Sequence, residues 1–113
     1  MQKVVKFGGS SLADSNQFKK VKSIIESDES RKIVVVSALG KRNKQDYKIT
    51  DLLYLTAAHL KYGVDEQQVF SIVKERYFEV LNDLGLNIDL ENEFKLVSSR
   101  MSNVLNFSVY ERR

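Results

Sequence analysis

Cysteine and proline are absent from this sequence of 113 residues, and histidine occurs once, at His59. The lack of cysteine excludes a disulfide framework, a thiolate metal site and a cysteine nucleophile. A single histidine excludes a metal site built from several histidines. With no proline and only five glycines, long linkers and disordered segments are not expected. The chain has the length and composition of one ordinary globular domain.

Long apolar runs and a strong excess of one charge are missing as well. The N-terminal segment Met1–Lys6 lacks the apolar core of a signal peptide, and no stretch approaches the roughly 20 apolar residues of a membrane span. We therefore expect a cytoplasmic location and no membrane partner. The net charge of +3 arises from 18 basic and 15 acidic residues mixed along the chain. Because nucleic-acid binders concentrate positive charge on one face, a nucleic-acid partner is the least favoured interpretation.

The apolar pattern predicts an α/β fold that begins with one βαβ unit. Val4–Phe7 and Lys32–Ser37 are short β-branched runs, typical of strands that are covered on both faces in a parallel sheet. The helix between them is predicted to begin near Asp14 or Ser15 and to end in the polar stretch Glu26–Ser30. Such a unit has a right-handed crossover.

The rest of the chain is predicted to form three helices. The first begins near Thr50 or Asp51 and ends before Gly63, the second spans about Asp65–Leu84 with Gly85 as its C-cap, and the third spans about Leu90–Val109. The aromatic residues at helical spacing that we expect in the core are Tyr77, Phe78, Phe94 and Phe107. Because stable sheets usually have about 4–6 strands, two strands are expected to expose apolar sheet surface.

The segment Lys6–Ser11 (Lys-Phe-Gly-Gly-Ser-Ser) lies where the first strand leads into the first helix. Such a junction presents backbone N–H groups near the positive end of a helix dipole. Adjacent glycines permit positive φ and close approach of the backbone to an anion, while Lys6 adds a full positive charge. A plain strand–turn–helix junction is the structural alternative. The spacing matches neither a Walker A loop nor a dinucleotide fingerprint.

Three ordered motifs within residues 4–55 carry a resemblance to one family. Val5–Asp14 closely resembles the N-terminal signature of the aspartokinases, within the amino acid kinase family. Val35–Gly40 resembles the Val-Val-Ser-Ala-x-Gly turn of that family, and Ile49–Leu53 resembles its Thr-Asp-x-Leu helix start. Related kinases for glutamate, acetylglutamate and carbamate share the glycine loop but not the element at Thr50.

The resemblance implies a three-layer αβα fold of the carbamate-kinase type, of which residues 1–113 form the N-terminal portion, with one βαβ unit followed by three helices. It also implies transfer of the γ-phosphoryl group of ATP to the β-carboxylate of L-aspartate, the first step of lysine, threonine and methionine biosynthesis. Mg²⁺ would arrive with the nucleotide, no metal ligand is expected in this chain, and the protein is expected to be a homo-oligomer.

The resemblance assigns site residues by position. Lys6 is expected to contact the ATP phosphates and to neutralise charge in the transition state, which makes it the catalytic candidate. The residues expected at the ATP phosphates are Lys6, Phe7, Gly8, Gly9 and Ser10. The residues expected at aspartate are Ser11, Ser37 and Thr50.

Other parts of the family pattern are not found. The Ser-x-Gly-Glu substrate element is missing, and the closest stretch, Ser108–Arg113, lacks the glycine. We therefore expect a truncated kinase domain without the C-terminal ACT domains, and no appreciable turnover from these residues alone. The competing hypothesis is a non-catalytic interaction or oligomerisation module that uses its exposed sheet edge and long helices.

Two further features leave alternatives open. His59 lies between apolar residues of a predicted helix and is interpreted as a packing residue rather than a catalyst. The basic segment Lys41–Lys48 either attracts anionic ATP or is a solvated loop.

Overall fold

The computed structural model describes residues 1–111, with side chains described through Met101. Its packing divides the chain into two compact units, one ending at Asp51 and the other beginning at Leu52. The elements in chain order are β1 (Lys3–Phe7), a 3-10 turn (Gly9–Leu12), α1 (Ser15–Glu26), β2 (Arg31–Val36), α2 (Ile49–Lys61), α3 (Gln67–Leu84) and α4 (Leu90–Glu111). The predicted βαβ unit followed by three helices is confirmed.

The sheet of the first unit consists of β1 and β2, which pair in parallel as predicted. The register places Val5 beside Val34 and Phe7 beside Val36, with an irregularity between Lys3 and Val4. Both strands therefore end at the same edge of the sheet. The amide of Ser37 donates to the carbonyl of Phe7 at 3.1 Å and extends the pairing by one residue into the following loop.

Helix α1 begins where its capping residue predicts. The Asp14 carboxylate accepts a hydrogen bond from the amide of Gln17 at 3.0 Å, which satisfies one of the free donors of the first turn. Val21 is buried on the inner face of the helix. The cap separates the start of α1 from the glycine segment, which forms a short 3-10 turn of its own.

The connection from α1 to β2 is held by a small polar cluster. The Asp28 carboxylate accepts from the Lys3 ammonium at 2.7 Å, from the Ser30 amide at 2.9 Å and from the Ser30 hydroxyl at 2.6 Å. These hydrogen bonds, led by the one from Lys3, hold the pKa of Asp28 well below its usual range. The cluster ties the chain before β2 to the first residue of β1.

Much of the apolar surface of the sheet is exposed within the described residues. Val4 is 65% exposed, Val36 is 60% exposed, and Ile33 and Val35 are nearly half exposed. The expectation that a two-stranded sheet exposes apolar surface is confirmed. The strands were predicted to be covered on both faces because their apolar runs are continuous. Within the described residues they are not, since too few other elements pack against the sheet.

The second unit takes its core from helices, with α2 contributing from Leu52 onward. The Phe94 ring meets the Phe70, Tyr77 and Phe78 rings edge-on, at centroid distances of 6.0, 5.9 and 5.6 Å. Of the predicted aromatic core residues, Phe94 is buried and Tyr77 and Phe78 are half-buried. The fourth, Phe107, lies outside the described side chains, as does the stretch beginning at Ser108.

Glycines end two of these helices as the sequence predicts. Gly63 and Gly85 have φ of 70° and 67°, the left-handed conformation of a C-cap. The Val64 amide donates to the His59 carbonyl at 2.8 Å and the Leu86 amide to the Leu81 carbonyl at 2.9 Å. The His59 ring is half-buried, with Nδ1 3.2 Å from the Asp65 carbonyl oxygen. Among the described helices, none has both the length and the apolar content that crossing a membrane requires.

Candidate functional site

The loops that follow β1 and β2 meet directly, backbone against backbone. The amide of Gly40 donates a hydrogen bond to the carbonyl of Gly9 at 2.8 Å. A Cβ atom on Gly40 would lie 2.4 Å from the carbonyl carbon of Gly9, and a Cβ on Gly9 would lie 3.2 Å from the Cα of Gly40. Only glycine at position 40 allows this contact, since the neighbouring atoms belong to backbone that cannot move aside.

The requirement for glycine therefore differs from the one expected. Neither Gly8 nor Gly9 has a positive φ; Gly8 is extended, with φ of −76° and ψ of 176°. The Gly8 carbonyl accepts from the Ser11 amide at 3.1 Å, which closes the 3-10 turn. The positive φ that adjacent glycines permit is not used at Gly8 or Gly9, and the constraint at Gly9 is set by the neighbouring loop at Gly40.

A cleft of about 450 Å³ opens beside this contact, at the ends of the two strands. Four of the predicted site residues line it together: Gly9, Ser10, Ser37 and Thr50. Ligand sites of open α/β sheets lie at the carboxyl ends of strands, and this cleft has that position. The described residues that line it are Gly9, Ser10, Ser37, Ala38, Leu39, Gly40, Lys41, Lys48 and Thr50.

The other predicted site residues do not line this cleft. Lys6 and Gly8 are exposed, and Ser11 is half-buried with its amide already used in the 3-10 turn. The Phe7 side chain is buried in the core. The roles assigned to these residues stay predictions.

Thr50 reaches the cleft because the start of α2 is fixed to the loop after β2. The amide of Ile49 donates to the carbonyl of Leu39 at 3.0 Å, and the Ile49 side chain is only 1% exposed. This buried anchor places Thr50, the next residue, at the cleft with its own side chain exposed. The Thr-Asp motif is thus brought beside the loop after β2 by the residue that precedes it.

Sequence reasoning gave little weight to the loop between Gly40 and Ile49, which supplies both lysines of the cleft. Lys41 and Lys48 line the cleft from the two ends of the loop. Between them, the Arg42 amide and Nε donate to Asp46 Oδ2 at 3.0 and 2.7 Å. The only sequence signal was the cluster of basic residues, which could not tell the lysines that line the cleft from the one that does not.

Residues 1–102, including all three motifs, match the sequence profile of the amino acid kinase family. The chain belongs to the amino acid kinase family. Within this family it is 48% identical over 84 residues to Aspartokinase 3 of Bacillus subtilis (strain 168), a match that covers 74% of this chain and 18% of that protein. The predicted resemblance to aspartokinases is confirmed.

Comparison of structures gives the same family. The crystal structure of aspartate kinase from Clostridium acetobutylicum matches with a TM-score of 0.84 and 52% identity, over 88% of this chain and 23% of that one. The predicted amino acid kinase fold is confirmed by this match. The chain thus spans about a fifth of the length of these relatives.

Proposed function

We propose that this chain forms the phosphate-binding part of an ATP-dependent aspartate kinase. The carrying observation is the cleft at the carboxyl ends of β1 and β2, where Gly9 and Ser10 of the glycine loop lie with Ser37 and Thr50. Two relatives that are about half identical to this chain over the matched segments are named aspartokinase and aspartate kinase. The proposed reaction transfers the γ-phosphoryl group of ATP to the β-carboxylate of L-aspartate and yields ADP and 4-phospho-L-aspartate.

The residues of the cleft fit this chemistry. A carboxylate is already ionised at neutral pH and needs no general base, so the protein has to position the two substrates and stabilise charge. The exposed Ser10, Ser37 and Thr50 offer hydroxyl donors. Gly9 and Gly40 line the cleft without side chains, which lets a phosphate approach the backbone closely.

Mg²⁺, which bridges and neutralises phosphate oxygens in phosphoryl transfer, would be carried in by ATP. In the part of the chain that the structure describes, no group of three His, Asp or Glu side chains could hold a metal ion. Lys6, exposed next to the end of β1, is proposed to supply protein charge to the phosphates.

The sharpest test is a chimera in which residues 1–102 replace the matching segment of the Clostridium acetobutylicum enzyme. Acyl phosphate formed from ATP and L-aspartate is trapped by hydroxylamine as a hydroxamate and measured by its colour with iron. We expect turnover in the chimera and none from the 113-residue chain alone, since the chain spans about a fifth of its relatives. A folded chimera that phosphorylates glutamate but not aspartate would overturn the proposed substrate.

The exposed valines of β2 favour a second candidate, an interaction or oligomerisation module. Val36 is 60% exposed and Val35 is 45% exposed on a two-stranded sheet, and an unpaired strand edge is a template for association. Analytical ultracentrifugation of the 113-residue chain, together with a titration of MgATP, distinguishes the kinase part from the interaction module. A stable oligomer that binds no MgATP would favour the module, whereas MgATP binding by a monomer would favour the kinase part. The expected homo-oligomer of the intact kinase would be measured separately.

A further inference from the structure

The loop of residues 41–48 is exposed at every position but Asp46, and part of it is closed by hydrogen bonds of its own. Arg42 donates to Asp46 from its backbone amide, from Nε and from Nη2, the last to Oδ1 at 3.2 Å. The Asp46 amide donates to the Asn43 carbonyl at 3.2 Å, and the Gln45 amide donates to the Asn43 side-chain oxygen at 3.0 Å. These contacts form a closed turn over residues 42–46.

The closed turn separates three lysines into two environments. Lys41 lies where the chain enters the turn, Lys48 lies just beyond where it leaves, and both line the cleft. Lys44 lies at the tip of the turn, is exposed and does not line the cleft. Two of the three lysines of the loop therefore lie at the cleft, although all three are exposed.

The charge of these two lysines is not cancelled locally. The carboxylate inside the loop, Asp46, is 9% exposed and paired with Arg42. Neither Lys41 nor Lys48 forms an ion pair with any side chain in the part of the chain that the structure describes. The described lining residues include two ammonium groups and three hydroxyls but no carboxylate. A cleft of this composition attracts an anion and rejects a cation.

We infer that Lys41 and Lys48 form an oxyanion site in this cleft, which takes a carboxylate or phosphate group of a substrate. Ammonium groups donate to either kind of oxygen, and the bonds are charge-assisted. The hydroxyls of Ser37 and Thr50 lie in the same cleft and would complete the shell around the anion. The inference deepens the proposed function and rests on it for the identity of the anion, but the site itself can be tested without turnover.

The test titrates the ¹⁵N-labelled 113-residue chain with L-aspartate and, separately, with inorganic pyrophosphate at constant ionic strength. The amides of Gly9 and Gly40 report on the cleft. Lys41→Ala and Lys48→Ala are compared with Lys44→Ala, which removes the same charge from the tip of the same loop. For at least one of the two anions, we expect the cleft variants to raise the Kd at least about fivefold. The control should change that Kd less than about twofold.

The outcomes separate the possible sources of the anion. Weaker binding of L-aspartate alone assigns the lysines to a carboxylate, and weaker binding of pyrophosphate alone assigns them to phosphate. Either result supports the site, even if the chimera fails to phosphorylate aspartate and the proposed function falls. Equal effects of all three variants, or no saturable binding of either anion, would overturn the inference. Asp46→Ala should weaken binding in the same direction, because the loop then loses its closure while both lysines remain.

Discussion

The carbonyl oxygen of Gly9 lies 2.8 Å from the amide nitrogen of Gly40, and this hydrogen bond joins the loop after β1 to the loop after β2. The two strands are parallel neighbours whose ends coincide, so their loops have no spacer between them. Both glycines line the cleft, together with the predicted site residues Ser10, Ser37 and Thr50.

Substitution of Gly40 should be far more costly than substitution of Gly8. In Gly40→Ala the new Cβ would lie 2.4–2.6 Å from three backbone atoms of Gly9 and Ser10, so we expect the free energy of unfolding to fall by about 1–3 kcal/mol or more. In Gly8→Ala the Cβ meets nothing within 4 Å and the backbone is extended. We expect that variant to be unchanged or stabilised by up to about 1 kcal/mol. Urea unfolding curves of both variants check the difference; equal loss of stability would contradict it.

Lys6→Ala should impair turnover without affecting folding. The Lys6 side chain is exposed, while its proposed role is to neutralise phosphate charge in the transition state. We expect kcat of the chimera to fall about 100-fold or more, the effect of removing one such donor, with less change in the KM for aspartate. Lys32→Ala, on the neighbouring strand and also exposed, is the matched control. Near-normal kcat in the Lys6 variant would remove it from the mechanism.

Thr50→Ala should act on aspartate rather than on ATP. Thr50 is exposed at the cleft and directly follows Ile49, which is buried and fixes the start of α2. Loss of a hydrogen bond to a charged substrate should raise the KM for aspartate about tenfold. Thr50→Ser keeps the hydroxyl and should restore most of the affinity. Steady-state kinetics of the chimera with each substrate varied in turn decide the matter, and a change confined to the KM for ATP would reverse the assignment.

Asp28→Asn should lower the melting temperature in a pH-dependent way. Because the folded-state pKa of Asp28 lies below that of a free carboxyl, about 3.9, the ionised group stabilises the fold above that pH. This contribution is lost as the pH falls through the folded-state pKa. The melting temperatures of the unsubstituted chain and the variant should therefore differ at pH 7, begin to converge below about pH 4, and meet only as the pH falls through the folded-state pKa. Glu29→Gln, which removes the neighbouring exposed carboxylate, is the control, and its melting temperature should stay close to that of the unsubstituted chain at both pH values.

The helices and strands were predicted well because the residues that determine each one lie within it or at its ends. The β-branched runs gave both strands to within one residue, and Asp14 and Gly85 marked helix ends by their own side chain or its absence. The 3-10 turn at Gly9–Leu12 was missed because four residues carry no periodicity.

The candidate site was predicted only where a motif named its residues. Ser37 and Thr50 were expected near the glycine loop from the resemblance, and the cleft contains both. The need for glycine at position 40 could not be read from its own neighbours, since it comes from contact with Gly9 on another loop. That Lys41 and Lys48 both line the cleft could not be predicted either, since the turn between them is closed by contacts such as the Arg42–Asp46 ion pair that no local pattern announces.

The Gly9–Gly40 hydrogen bond has a thermodynamic consequence for the two proposed ligands. One loop carries Gly9 and Ser10 and the other carries Ser37, and the hydrogen bond couples a movement of one loop to a movement of the other. A nucleotide that orders the first loop would also order the second, so the conformational-entropy cost of ordering both loops would be met when the nucleotide binds. Aspartate would then bind more tightly to the nucleotide-loaded protein, and by linkage the nucleotide would bind more tightly, by the same factor, to the aspartate-loaded protein. A single hydrogen bond between two glycines would make the two substrates synergistic.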